Sequence, residues 1–228
     1  MMRLSGFKFI MKTLLDFMFP KRCIICNKLL PLGCELCLCE KCLTKVNSYE
    51  YVTELKANNN FYRIISGVEY IDYVRSNLID FKFHNVEILG KTYGYIVYKL
   101  WQRIFENTAL DNYKVIAVPM HSSRGRAYNQ AEVIAQNVCV RTGFSLTKNA
   151  LIKKRGIGKI SSMPKNVKYQ FAKDAFEVIN SAEIYGKHII LIDDIYTTGT
   201  TASVCADLLL NNGASSVTVL TACYTPMK

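Results

Sequence analysis

The stretch 189–201, IILIDDIYTTGTT, sets four consecutive apolar residues, two adjacent acids and a Thr/Gly cluster in one line. Four apolar residues in a row suit a strand covered on both faces, as in a parallel sheet. Such sheets bind ligands at the carboxyl ends of their strands, which is where Asp193 and Asp194 fall. Thr197, Thr198, Gly199, Thr200 and Thr201 then run into a predicted helix, whose first-turn N–H groups and dipole favour a phosphate. Gly199 lets the backbone approach closely. Carboxylates accept hydrogen bonds from neighbouring hydroxyls while the cradle holds a phosphate, so the layout fits a phosphorylated ribose. A plain N-capped helix after a core strand would leave the paired acids unexplained.

Outward from this stretch, strand and helix signals alternate. Residues 62–70 (YRIISGVEY) read as a strand, and 74–83 (VRSNLIDFKF) and 88–105 (ILGKTYGYIVYKLWQRIF) as helices. Residues 113–120 (YKVIAVPM) read as a buried strand, and 127–143 as a helix closed by Gly143. Residues 150–155 (ALIKKR) give a short strand, 186–194 the acid-bearing strand, 200–213 a helix ended by Gly213, and 215–225 a final strand. The alternation predicts a parallel sheet wrapped by helices. The polar, turn-rich 47–60 (NSYEYVTELKANNN) reads as a boundary, dividing the chain into an N-terminal module, 1–50, and a main domain, 51–228.

The 228 residues are 50% hydrophobic and 21% charged, enough to bury a sizeable core. A formal net charge of +11 favours polyanionic partners such as nucleic acid, phosphorylated metabolites or acidic lipid. No apolar run reaches the roughly 18 residues of a membrane span, and the start carries no small-residue cleavage signal, which predicts a cytoplasmic protein. Phe7, Phe9, Ile10, Leu14, Leu15, Phe17, Met18 and Phe19 approximate a helical apolar face with Lys8 and Lys12 nearby. Packing against the body is the expected use, and peripheral contact with the inner face of the membrane is the alternative.

Six of the nine cysteines crowd into residues 23–42. A reducing cytoplasm disfavours a disulfide framework. Cys23 and Cys26 form one C-x2-C pair and Cys39 and Cys42 a second, a pattern suited to closing tetrahedrally on a structural Zn²⁺. Cys34 and Cys37 leave the assignment open, since either can replace Cys39, and a redox dithiol or buried thiols are the alternatives.

The apolar run, Asp193-Asp194, two variable residues and TTGTT resemble the 13-residue phosphoribosyl pyrophosphate (PRPP) signature of type I phosphoribosyltransferases. A longer order resembles the ComF family of competence proteins: LLDFMFPKRCIICNK (14–28) with the cysteines, VIAVPMHSSRGRAYNQAEVIA (115–135), KKR (153–155) to DAFEV (174–178), and the PRPP motif. It covers residues 13 to about 224. The resemblance implies an N-terminal zinc finger joined to a type I phosphoribosyltransferase-like α/β domain, a parallel sheet flanked by helices. It also implies PRPP carrying Mg²⁺, single-stranded DNA handling during natural transformation, and a helicase-like competence partner. The same layout makes 119–124 a pyrophosphate loop with His121, Ser122, Ser123 and Arg124 as contacts, and Arg126, Asn129 and Gln130 either ligand contacts or helix-capping polar residues. The chain departs from the family at Ala127, Ile160 and Phe171, where Gly, Gln and Asn are common.

Lys82 is a further phosphate candidate, with a solvated lysine the simpler reading. From Arg141 to Lys173 there are nine Lys or Arg and no Asp or Glu. This basic segment, with Lys153, Lys154 and Arg155, is expected either to close over PRPP or to track a nucleic-acid backbone with Tyr169 and Phe171 stacking on bases. A solvated basic face is the third use. Three functions follow: a DNA-handling protein that binds PRPP, an active phosphoribosyltransferase acting on a nitrogen base, or a nucleotide-sensing interaction module. The sequence identifies no catalytic residue.

Overall fold

The apolar runs read as buried strands come together in one sheet. In a computed structural model the protein is described at residues 17–18, 20–48, 51–57, 60–83, 87–120, 128–154 and 165–226. Along the chain these form α1 (Glu40–Val46), β1 (Tyr51–Ala57), β2 (Asn60–Glu69), α2 (Asp72–Phe83), α3 (Glu87–Phe105), β3 (Tyr113–Ala117) and α4 (Gln130–Thr142). Next come β4 (Leu151–Lys153), α5 (Lys165–Ala175), β5 (Phe176–Val178), β6 (His188–Tyr196), α6 (Thr200–Asn211) and β7 (Ser216–Tyr224).

The sheet runs β1-β2-β7-β6-β3, with β2, β7, β6 and β3 parallel. One face packs on α3 and α4 through Ile65, Ile96, Ile134, Ile190, Ile192 and Leu220. The other packs on α5 and α6 through Ile64, Ala172, Ile189, Leu191, Val204 and Val219. Alternate residues of β6 therefore feed two cores, which is why its run is continuously apolar. Gly143 closes α4 at φ 77°, its N–H reaching the Cys139 carbonyl.

Two expectations change. The stretch 47–60 is not wholly a boundary: β1 lies within it and pairs antiparallel with β2, from Tyr51 opposite Ser66 to Ala57 opposite Asn60. Its polar composition resembles a linker because an edge strand tolerates charged residues that a central one excludes. The short strand β4 also stays out of the main sheet and pairs antiparallel with β5, clipping together the two ends of the basic segment.

The cysteine-rich stretch shares the core under α3. Ile24, Leu38, Cys42 and Val46 are buried in it, and the Cys37 N–H donates to Thr92 Oγ1 at 2.9 Å inside that interface. Among the described residues no helix is long and apolar enough to cross a membrane. Phe17 and Met18, from the predicted N-terminal apolar face, are exposed, and the face before them lies outside the described residues.

β2 passes so close beneath α3 that a Cβ on Gly67 would stand 2.4 Å from Ile96 Cγ2 and 2.7 Å from the Ala222 carbonyl oxygen. The carbonyl belongs to the neighbouring strand and cannot rotate away, so Gly67→Ala is expected to cost about 2–3 kcal/mol. Urea unfolding monitored by circular dichroism measures it.

Candidate functional site

The carboxyl end of β6 places its acids by strand alternation. Asp193 stands opposite Thr221 of β7 and faces a small cavity of about 50 Å³, lined also by Thr197, Thr198, Gly199, Thr200 and Thr201. Six of the seven residues predicted for ribose phosphate thus share one cavity. Gly199 takes a left-handed conformation at φ 75°, lets α6 begin at Thr200, and offers no side-chain cap. The first-turn N–H groups of α6, which have no partner within the helix, lie at the cavity with the positive end of its dipole. The Thr198 and Thr200 hydroxyls sit 3.1 Å apart beside them.

Asp194 turns away from that cavity. Its Oδ2 lies 2.6 Å from Lys82 Nζ, and the two side chains are only 12% and 16% exposed. Lys82 is therefore a counter-charge at the site rather than the solvated lysine of the simpler reading. The amphipathic helix that ends at Phe83 gives its position but not its partner. Asp193, part of whose surface opens to the cavity, accepts from the Asp194 N–H at 2.8 Å. Burial first, and then the neighbouring Asp194 charge, push its carboxyl well above the ordinary range. Thr221, missed in the sequence, is buried with its hydroxyl 2.7 Å from that of Ser66 and forms the floor beside Asp193.

On the β3 side, His121, Ser122, Ser123, Arg124 and Arg126 lie outside the described residues, as does Arg155. The flanks of that loop are well fixed. The Val118 N–H donates to the Ile192 carbonyl at 2.8 Å, and Asn129 Nδ2 donates to the Val118 carbonyl at 2.9 Å. Asn129 Oδ1 accepts the Ala131 N–H and so caps α4, while the buried Gln130 donates to the Lys82 carbonyl at 3.2 Å. Tyr128 gives its hydroxyl hydrogen to the Phe81 carbonyl. Asn129 and Gln130 both bond backbone groups, and tie the loop's exit to the helix end that carries Lys82.

The basic segment is anchored at both ends. Lys153 Nζ lies 5.4 Å from the Phe176 ring centroid and Lys154 Nζ 3.5 Å from Glu177. Tyr169 and Phe171 are half-buried: both pack against the core beneath α6, and the Tyr169 hydroxyl donates to the Asp207 carboxylate. Apolar spacing along α5 selects its buried face, and these aromatics are part of it. His188 lies at the opposite end of β6, its Nδ1 2.8 Å from Ser216 Oγ. His84 lies outside the described residues.

The four predicted metal ligands converge. The sulfurs of Cys23, Cys26, Cys39 and Cys42 all lie within 4.8 Å of one another, with Cys26 and Cys39 at 3.6 Å. Four thiolates about 2.3 Å from one tetrahedral Zn²⁺ stand about 3.8 Å apart, so the set fits that ion. The Asn27 N–H returns to the Cys23 carbonyl to form one knuckle, with Asn27 at φ 59°. Cys39 is the N-cap of α1, and Cys42 lies in its first turn. Cys34 and Cys37 stand outside the group.

A family model described as phosphoribosyl transferase domain matches residues 99–228. Two proteins named DNA utilization protein YhgH, from Salmonella typhi and Escherichia coli K12, are 28% and 27% identical to this chain over 114 residues. The match spans 49% of this chain and 49% of each, so the chain spans about half the length of these relatives. A solved hypoxanthine phosphoribosyltransferase from Staphylococcus aureus is 14% identical, with a TM-score of 0.38 over 60% of this chain and 74% of its own. The relatives' name, the matched domain and the four-cysteine cluster bear out the ComF resemblance.

A buried acid whose protonation is favoured by folding costs stability as the pH rises through its native pKa. Asp193→Asn is therefore expected to raise the melting temperature, with a gain that is larger at pH 8 than at pH 5. Lys82→Met strands the Asp194 charge and is expected to cost about 3 kcal/mol. Thermal scans across that pH range test both.

Proposed function

The chain belongs to the phosphoribosyl transferase domain family, and from that premise we propose that it binds PRPP or a related ribose phosphate at the β6–α6 loop and handles single-stranded DNA in natural competence. The observation that carries the reading is the shared cavity of Asp193, the Thr197–Thr201 turn and the α6 N-terminus. The 5′-phosphate sits against the first-turn N–H groups and the threonine hydroxyls. The Asp193 carboxylate accepts from the ribose hydroxyls. Lys82, 2.6 Å from Asp194, pairs with that second acid and brings a cation to the side from which the pyrophosphate loop leaves β3. Main-chain groups of 119–124, with His121, Ser122, Ser123 and Arg124, meet the pyrophosphate. Mg²⁺ enters with PRPP, and neutralises charge on its pyrophosphate.

The cysteine cluster holds a structural Zn²⁺. All four positions around the ion are filled by thiolates, so its contribution is to the fold of the N-terminal module. The DNA-handling part rests on the relatives' name, on the net charge of +11 and on the Arg141–Lys173 run. A cytoplasmic location, and a helicase-like competence partner docking on the N-terminal module, belong to the same reading.

A second reading is favoured by the matched family itself: transfer of ribose 5-phosphate from PRPP to a nitrogen base. In it the bond from ribose C1 to pyrophosphate breaks, the pyrophosphate leaves with the electron pair, and a base nitrogen forms the new bond to C1.

Isothermal titration with PRPP and Mg²⁺ is expected to show saturable binding that is lost in the Asp193→Ala/Asp194→Ala double variant. A folded, metal-loaded protein that takes up no PRPP would sink the ribose-phosphate reading. Pyrophosphate release with a nitrogen base, abolished by the same variant, would establish transfer. Binding of single-stranded DNA is expected to weaken steeply with salt and further on neutralising Lys153, Lys154 and Arg155. Metal analysis is expected to find one zinc per chain, and a strong chelator or Cys42→Ser to lower the melting temperature.

A further inference from the structure

The sheet ends at β1, and among the described residues no strand pairs with its outer side. A terminal strand presents alternate peptide N–H and C=O groups without a ladder partner, which makes it a template for another chain. Folds commonly blunt such an edge with a proline, a bulge or a run of like charge. β1 has none of these. Its sequence, YVTELKA, holds neither proline nor glycine, and its pairing with β2 is unbroken from Tyr51–Ser66 to Ala57–Asn60. Its two charges, at Glu54 and Lys56, cancel. Val52 is 42% exposed although Ile65, opposite it on β2, is fully buried, so the apolar layer stops short of this edge.

The placement of those two charges selects a partner. Two copies of one strand pair antiparallel about a two-fold axis, so every register is centred on one residue that meets its own copy. Successive residues turn their peptide groups to opposite edges, which removes the registers that fall between residues. Centring on Thr53 sets Glu54 against the apolar Val52. Centring on Glu54 sets two acids against each other, and centring on Lys56 sets two bases. Centring on Leu55 sets Glu54 against Lys56 of the second copy on both sides of the axis, with Thr53 against Ala57 at the ends. Opposite charges directly across two strands stabilise the pair, and like charges do the reverse.

We propose that β1 is a self-association edge: two copies of this chain pair through residues 53–57 in the register centred on Leu55 and join their five-stranded sheets into one. Residues 53–57 lie opposite 60–64, the amino-terminal half of β2, so the seam stands away from the carboxyl ends of the parallel strands. The Asp193 cavity is lined from β6, β7, the threonine turn and α6, and stays open in each copy. The antiparallel seam points the carboxyl ends of the two sheets in opposite directions. A seam of one short strand is a small interface, so the association is weak and depends on concentration.

Sedimentation equilibrium of the full, zinc-loaded chain over a range of concentrations is expected to show a monomer–dimer equilibrium. Glu54→Lys and Lys56→Glu each turn both cross-strand pairs into like charges, and each is expected to weaken the dimer about tenfold or more. Mixed together, the two variants are expected to form a heterodimer with the wild-type constant, because each supplies the sign that the other lacks. The double variant Glu54→Lys/Lys56→Glu exchanges the signs and is expected to associate as the wild type does. A wild type that stays monomeric at every concentration overturns the proposal. Dimerisation that both single variants leave undiminished overturns it too, and moves the interface elsewhere. Should a single variant fail to fold, loss of association in a folded double variant overturns the register by itself.

Discussion

A β-strand turns successive side chains to opposite faces, and the placement of two acids in succession at the end of β6 makes that alternation the constraint on which the site depends. Asp193 goes to the α6 side, where the helix N-terminus and the threonine turn line a small cavity. Asp194 goes to the α3 side, where a bare carboxylate in an apolar layer would be prohibitively costly. Lys82 resolves that, and its own position is fixed because α2 ends against Tyr128 and Gln130. A pair of charges, a helix terminus and the exit of the loop after β3 therefore form one linked set, all traceable to a single adjacent pair in the sequence.

The same linkage engages Asn129 and Gln130 with the framework. Both amides bond backbone groups, one at Val118 and the α4 cap, the other at Lys82. The loop between Val118 and Tyr128 is held at both ends by these bonds.

Much of this was legible in the sequence because the signals are local. The 189–201 stretch carries strand, acids, turn and helix start within one turn's reach, Gly143 marks its helix end, and the two C-x2-C pairs identify their four sulfurs. What was not legible depends on distant pairing. Lys82 and Asp194 are brought together by packing of α2 at the sheet's carboxyl edge. Ser66 and Thr221, 155 positions apart, meet only once β2 and β7 are neighbours. β1 reads as a linker because its strand character comes from β2. Tyr169 and Phe171 read as free aromatics because their charged neighbours mask an apolar face that only α6 reveals.

The bond from the Cys37 N–H to Thr92 spans 55 positions and lies in a buried contact. During synthesis the cysteine-rich stretch is the first of the described elements to leave the ribosome, and it waits for α3 before its inner side is covered. Through that interval Cys37 lacks the layer that buries it in the fold, so the cysteine-rich stretch completes its packing only when a helix 55 positions further on has formed.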